Sequence, residues 1–195
     1  MAARAACSAL LSIGLVLAAA PGRSDEPPPQ QVDLALAGWP IGELALVDQI
    51  GRPVTQQALQ GQWTFLLLTG DGCSEPCTAA LAALAGLYRR IARSTALRTT
   101  QVIAVSLDPR WSPAELYGTL VSHDPRFLAA GGSADAVAGL ARDLGVADFP
   151  AASPEVSESG AMWLIGSDGV IRARLLPPYD VPRLTATYLR TRALR

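Results

Sequence analysis

Residues 63–77 read Trp-Thr-Phe-Leu-Leu-Leu-Thr-Gly-Asp-Gly-Cys-Ser-Glu-Pro-Cys, and this stretch gives the clearest indication of the fold. Its first seven residues form a short apolar run, which predicts a strand buried on both faces of a sheet. Residues 70–72 form a loop that leads directly into Cys73. From Pro76 to about Arg93, apolar residues at spacings of three and four predict a helix. The stretch therefore predicts a buried strand, a short loop that carries a cysteine, and a helix.

The sequence on either side continues the alternation of strands and helices. The predicted elements are a small hairpin over residues 44–54, a strand over 101–107, a helix that starts at Pro113 behind a Ser112 cap, a strand over 127–130, a helix from the Ser133 cap to Leu144, a hairpin over 161–165 and 170–176, and a closing helix from Val181. Residues 146–160 predict an irregular loop. This order predicts a thioredoxin-like α/β fold, in which helices flank a central mixed sheet and an amino-terminal hairpin precedes it.

Composition excludes several classes of function. The 195 residues carry 16 basic side chains, all arginine, and 17 acidic ones, so the net charge of -1 lacks the basic footprint of a nucleic-acid-binding protein. Histidine occurs once, at His123, and cysteine three times, at Cys7, Cys73 and Cys77. Zinc fingers, His-rich metal enzymes and H-E-x-x-H proteases are therefore excluded. The chemistry of the protein is expected to depend on two cysteines.

The amino terminus has the layout of an export signal. Residues 1–20 place Arg4 ahead of an apolar run that ends in small residues, which predicts a signal peptide or, alternatively, an uncleaved signal anchor. A proline-rich spacer over residues 21–31 and a single domain over residues 32–195 follow. Cys7 belongs to the leader. We expect a periplasmic protein, soluble or tethered to the inner membrane, in a compartment where disulfides persist.

Cys73 and Cys77 form a C-x-x-x-C pair at the junction of strand and helix. The start of a helix favours a thiolate, so the position favours reactivity. At helical spacing the two Cβ atoms lie roughly 5 to 6 Å apart, and a disulfide needs a local adjustment that is easiest at Cys73, ahead of the helix. Two thiolates also suit a soft ion such as Cu(I). An inert structural disulfide is the alternative.

At this point the chain resembles the Sco/SenC family of thioredoxin-like copper proteins. The stretches that carry the resemblance are residues 46–51, 59–63, the C-x-x-x-C pair, 84–88, 105–109, 112–113, 124–127 and 163–169. The resemblance implies copper binding through Cys73 and Cys77. It further implies a role in assembling the copper centre of cytochrome c oxidase, whose copper-bearing subunit, or another copper or thiol protein, would be the partner.

The chain departs from the family pattern at two positions near the site. Glu158 stands where the family has its third copper ligand, a histidine, and Thr78 stands where the family has proline after the second cysteine. A carboxylate is a hard ligand and a poor substitute for imidazole toward Cu(I), so the expectation of Cu(I) rather than Cu(II) depends on the two soft thiolates. His123 is not expected to replace the missing ligand, because it follows a helix whose end lies at the opposite edge of the sheet from the cysteines.

Three functions stay open from the sequence. The first is a Sco-like copper chaperone, which is a carrier rather than an enzyme. The second is a metal-independent thiol-disulfide oxidoreductase in which Cys73 attacks and Cys77 resolves. Against it, Gly160 and Ala161 stand where thioredoxin-type enzymes place a cis-proline. The third is a binding module that has lost copper binding.

Overall fold

The computed structural model describes residues 29–70, 73–108, 110–146 and 159–194. These contain eight strands, β1 (Gln31–Asp33), β2 (Leu46–Asp48), β3 (Pro53–Val54), β4 (Trp63–Thr69), β5 (Thr100–Ser106), β6 (Leu128–Gly132), β7 (Met162–Ile165) and β8 (Ile171–Leu176). They also contain four α-helices, α1 (Glu75–Ile91), α2 (Pro113–Leu120), α3 (Ala134–Asp143) and α4 (Val181–Ala193). The strands form one mixed sheet in the order β1-β8-β7-β4-β5-β6-β2-β3.

Strand β4 lies at the centre of the sheet and is buried along its whole length. It pairs in parallel with β5 and antiparallel with β7. Its side chains alternate between two cores: Phe65 and Leu67 belong to one face of the sheet, and Leu66 and Leu68 to the other. Because both faces are covered, β4 is apolar throughout instead of alternating between apolar and polar residues.

The helices divide between the two faces. Buried side chains of α1, α2 and α4 pack into the core that contains Phe65. Val137 and Leu140 of α3 pack into the other core, together with the buried side chains of Ile41 and Leu44 from the amino-terminal part. The predicted α/β architecture, with a central mixed sheet, flanking helices and an amino-terminal hairpin of β2 and β3, is confirmed.

Several local predictions are confirmed in detail. Ser112 and Glu115 form both hydrogen bonds of a capping box at the start of α2. The Ser133 hydroxyl accepts the N–H of Ala136 and caps α3. Gly145 follows the last turn of α3 with a φ of 70°, a conformation that glycine adopts without strain.

The sequence did not indicate strand β1. Gln31, the last residue of the predicted spacer, begins this strand, which pairs antiparallel with β8 through Gln31↔Leu176 and Asp33↔Arg174. Strand β6 also differs from its prediction, since it begins at Leu128 and continues to Gly132. The predicted leader, most of the spacer and nearly all of the predicted irregular loop lie outside the described residues.

The strand directions distinguish two opposite ends of the sheet, one at the carboxyl ends of the parallel strands and one at their amino ends. Strands β4, β5 and β6 run in parallel, so their carboxyl ends meet at one edge, which we call the cysteine edge because Cys73 follows the end of β4. Strand β8 runs in the same direction as β4, since each is antiparallel to β7.

Among the helices described, none combines the length and the apolar character that crossing a membrane requires.

Candidate functional site

The cysteine pair lies at the junction between β4 and α1. Cys73 precedes the helix, Ser74 is its N-cap residue, and Cys77 occupies its first turn. The two cysteines form a disulfide with a Cα–Cα distance of 5.2 Å, within the range that disulfides span. The disulfide therefore forms with Cys73 outside α1, at the position where the backbone adjusts most easily.

The two sulfurs differ in accessibility. Cys73 is half-buried, whereas Cys77 is 1% exposed and packs into the core beneath α1. Cys73 is therefore the cysteine that a partner molecule can approach. The attacking role of Cys73 and the resolving role of Cys77 stay predictions.

Thr78, the residue directly after the pair, points its hydroxyl back at Cys73. Its Oγ1 lies 3.8 Å from the Cys73 Sγ and 3.4 Å from the Cys73 carbonyl oxygen. The Thr78 N–H meanwhile donates to the Ser74 carbonyl oxygen at 2.9 Å. The hydroxyl is thus close to the sulfur atom of the accessible cysteine.

Gly160 packs directly against the backbone between the cysteines. A Cβ atom built on Gly160 would lie 2.6 Å from the carbonyl oxygen of Pro76 and 2.8 Å from its carbonyl carbon. The φ of Gly160 is 59°, so the residue also needs the left-handed conformation. No side chain fits at this position without displacing the turn that carries Pro76.

Tyr179 fixes the position of Gly160. Its hydroxyl lies 2.6 Å from the carbonyl oxygen of Gly160 and 3.0 Å from that of Leu175, in β8, and its single hydrogen is shared between these two acceptors. Burial raises the pKa of Tyr179, so the hydroxyl remains a donor even above the pH at which an exposed tyrosine titrates. The residue connects the end of β8 to the corner that contacts the cysteine turn.

A second loop reaches the cysteine edge from the end of β5. The carboxylate of Asp108 accepts hydrogen bonds from the backbone N–H and the guanidinium of Arg110, with distances between 2.7 and 3.1 Å. The hydrogen bonds from the Arg110 side chain hold the pKa of Asp108 below its ordinary value. The loop is therefore charged and held in shape by its own ion pair.

Glu158, which the sequence predicts at the position of the family's histidine, lies outside the described residues. His123 lies between the end of α2 and the start of β6, which places it at the edge of the sheet opposite the cysteine edge, as expected. Among the residues described, no group of three or more His, Cys, Asp or Glu side chains is arranged to hold a metal ion.

Sequence reasoning identified the two cysteines but did not assign roles to the residues around them. Thr78 and Gly160 stood out only as departures from expected prolines, and nothing near Tyr179 in the sequence indicates its contact. The available sequence signal for Gly160 is a glycine close to the start of a buried strand, and that signal does not reveal the contact with Pro76.

Comparisons with known proteins show which family the chain matches and which solved folds are similar to its own. The model of the SCO1/SenC family matches residues 40–191. The chain is 29% identical over 149 residues, 74% of this chain and 72% of the relative, to a Stutzerimonas stutzeri protein whose name describes it as copper-binding. Its fold is similar to that of yeast Sco1 with copper bound, with a TM-score of 0.68 and 21% identity over 81% of this chain and 94% of the other. It is also similar to BsSco, a member of the Sco family of cytochrome c oxidase assembly proteins, with a TM-score of 0.61 and 16% identity over 81% and 96% of the two chains.

Proposed function

The chain belongs to the SCO1/SenC family, and from this we propose that it is an exported protein that carries copper for assembly of the copper centre of cytochrome c oxidase. The observation that carries the proposal is the cysteine pair at the start of α1, with one accessible and one buried sulfur. Residues 1–20 would direct the chain to the periplasm, as a cleaved signal peptide or as an anchor in the inner membrane.

The donor atoms suit Cu(I) as cargo. Reduction of the disulfide yields two sulfur ligands, one just ahead of α1 and one in its first turn, and thiolates prefer soft ions such as Cu(I). The names of the Stutzerimonas stutzeri relative and of the yeast Sco1 structure, which mention copper, support the same cargo. We therefore propose Cys73 and Cys77 as the copper ligands.

Glu158 is the proposed third neighbour of the metal. It precedes Gly160 by two residues, a length of chain that spans at most about 7 Å, and Gly160 is in contact with Pro76 between the two cysteines. The chain connection therefore supports a position close to the pair. A carboxylate is a harder ligand than imidazole and binds soft Cu(I) weakly, so the preference for Cu(I) over Cu(II) would come from the two thiolates.

A second candidate function is thiol-disulfide exchange without a metal. It is favoured by the disulfide itself and by the unequal exposure of its sulfurs. In this function the Cys73 thiolate attacks a partner's disulfide to form a mixed disulfide. The Cys77 thiolate then attacks Cys73 to release the reduced partner, so that two electrons pass from the pair to the partner.

Titration of the reduced protein with Cu(I) tests the copper proposal. We expect one Cu(I) to bind, and Cys73→Ala and Cys77→Ala each to abolish binding. Cys7→Ala, in the predicted leader, is the matched control and should bind normally. Copper binding that survives in either Cys73→Ala or Cys77→Ala would contradict the proposed ligands.

A second titration addresses Glu158. Glu158→His restores the imidazole that the family pattern contains, so we expect this variant to gain Cu(II) binding that the wild type lacks. If Glu158→His binds Cu(II) no better than the wild type, residue 158 is not a neighbour of the metal.

A further inference from the structure

We propose that Thr78 is a positioning residue that sets the redox balance of the cysteine pair, by donating its hydroxyl hydrogen to the Cys73 sulfur and stabilising the dithiol over the disulfide. The inference deepens the proposed function, since it requires that the pair passes between its two redox states. It assigns a role to a residue that contributes no ligand and no nucleophile.

The Thr78 hydroxyl is oriented differently from the hydroxyls of the threonines in α4. A threonine within a helix commonly donates its hydroxyl to the carbonyl oxygen four residues earlier. Thr185 and Thr191 of α4 do so, at 2.7 Å from the carbonyl oxygen of Val181 and 2.9 Å from that of Thr187. Thr78 instead directs its hydroxyl five residues back, to both the carbonyl oxygen and the sulfur of Cys73.

The strength of the hydrogen bond from Thr78 depends on the chemical state of the Cys73 sulfur. In the disulfide, the Cys73 Sγ is a weak acceptor, in keeping with the distance of 3.8 Å. Reduction converts it into a thiol or thiolate sulfur, and hydrogen bonds to charged acceptors are shorter and stronger. The same hydroxyl therefore stabilises the reduced state more than the oxidised one.

The accessibility of Cys73 makes this interaction relevant to exchange with partners. Cys77 is buried in the core, so the half-buried Cys73 sulfur is the one that meets a reductant or an oxidised partner. With glutathione, two glutathione thiols supply two electrons and two protons, the Cys73–Cys77 bond breaks, and oxidised glutathione leaves. A hydrogen bond that is stronger on the dithiol side shifts this equilibrium toward the dithiol by about two- to tenfold.

The test measures that equilibrium without metal. The full chain in a Cys7→Ser background is equilibrated in glutathione buffers of graded ratio, and its free thiols are trapped by alkylation and counted by mass spectrometry. Thr78→Val keeps the shape of threonine without the hydroxyl. We expect half-reduction of this variant to need a ratio of squared reduced-glutathione concentration to oxidised-glutathione concentration about two- to tenfold higher than in the wild type. Thr78→Ser retains the hydroxyl and should behave as the wild type. Thr191→Val, which removes a helical hydroxyl far from the pair, should leave the midpoint unchanged.

Two outcomes would overturn the inference. One is a Thr78→Val midpoint equal to that of the wild type, and the other is a Thr78→Ser midpoint shifted as far as that of Thr78→Val. Thermal unfolding of each variant in both redox states identifies any shift that comes from a loosened helix, because a loosened helix lowers the melting temperature of both states. The inference and the copper proposal fail separately, since this midpoint is measured without copper and the Cu(I) titration is made on protein that is already reduced.

Discussion

At the scale of single residues, the site is defined by a close approach between two backbones. Gly160 lies against the carbonyl group of Pro76. Pro76 belongs to the five-residue segment 73–77 that the disulfide closes. Any side chain at residue 160 would push this turn away and change the spacing of the two sulfurs. The absence of a Cβ atom is therefore as much a part of the site as the cysteines are.

Gly160→Ala tests this contact. The substitution introduces a left-handed alanine, at a cost of about 1–2 kcal/mol, and a Cβ atom 2.6 Å from the Pro76 carbonyl oxygen, at a further cost of about 1–3 kcal/mol. Gly61→Ala is the matched control, because Gly61 has a φ of 75° with no atom within 4 Å of the added Cβ. Urea unfolding should show a clearly larger loss of stability for Gly160→Ala. Equal losses in the two variants would mean that the Pro76 contact is unimportant.

The cysteine pair could be identified as the candidate site from sequence, but its surroundings could not. Two cysteines four residues apart at the start of a helix leave few alternatives. The roles of Thr78 and Gly160 depend on distances to Cys73 and Pro76, and these follow from how α1 packs under the preceding strand and the Gly160 corner. A single sequence contains no direct record of such distances.

At the scale of elements, Tyr179 joins two parts of the chain at the cysteine edge. The hydroxyl lies within hydrogen-bond distance of carbonyl oxygens on both sides of the β7–β8 hairpin, one just before β7 and one in β8, which share its single hydrogen. It thereby holds the corner that contacts Pro76. Tyr179 thus adds a polar link near the first turn of α1 to the apolar packing of that helix on the sheet.

Tyr179→Phe should loosen that connection. The variant leaves the carbonyl oxygens of Gly160 and Leu175 without this donor, and we expect unfolding free energy to fall by about 1–3 kcal/mol. Hydrogen exchange should increase at residues 159–162 and at Leu175 and Leu176, the residues ahead of Pro177 and Pro178, which have no amide hydrogen. Tyr117→Phe is the control, since the Tyr117 hydroxyl donates to the Pro125 carbonyl oxygen at 3.1 Å in an exposed position, and it should cost less than about 1 kcal/mol. Exchange at the corner that is no faster in Tyr179→Phe would contradict the role of Tyr179.

The elements that the sequence predicted well carry strong local signals. Strand β4 is continuously apolar, α2 has a complete capping box, and α3 ends at a glycine. Strand β1 carries no such signal, because it has three residues, follows a proline-rich stretch, and leaves Val32 41% exposed. It is a strand only because the edge of β8 is available for pairing, which is a property of the tertiary structure.

At the scale of the whole molecule, the disulfide bond contributes little to the stability of the fold. It joins residues four positions apart, within one junction, and connects no two elements that are distant in the chain. The two cores on either face of the sheet contain the large buried side chains, among them Trp63, Trp163, Tyr88 and Tyr188. The stability of the domain therefore comes from these cores, and the cysteine pair is free to change its chemical state.

Reduction should accordingly leave the domain folded. Because the closed loop is so short, loop-closure entropy assigns the disulfide only about 2 kcal/mol, so we expect the free energy of unfolding to fall by no more than that amount in a reducing buffer. Urea titrations of the oxidised and reduced protein, followed by far-UV circular dichroism, measure the difference. A variant with both Cys73→Ala and Cys77→Ala should respond to the reductant by less than the error of the measurement. Collapse of the cooperative transition on reduction would instead make the disulfide a structural bond, which is incompatible with a pair that must open to hold Cu(I) or to exchange with a partner.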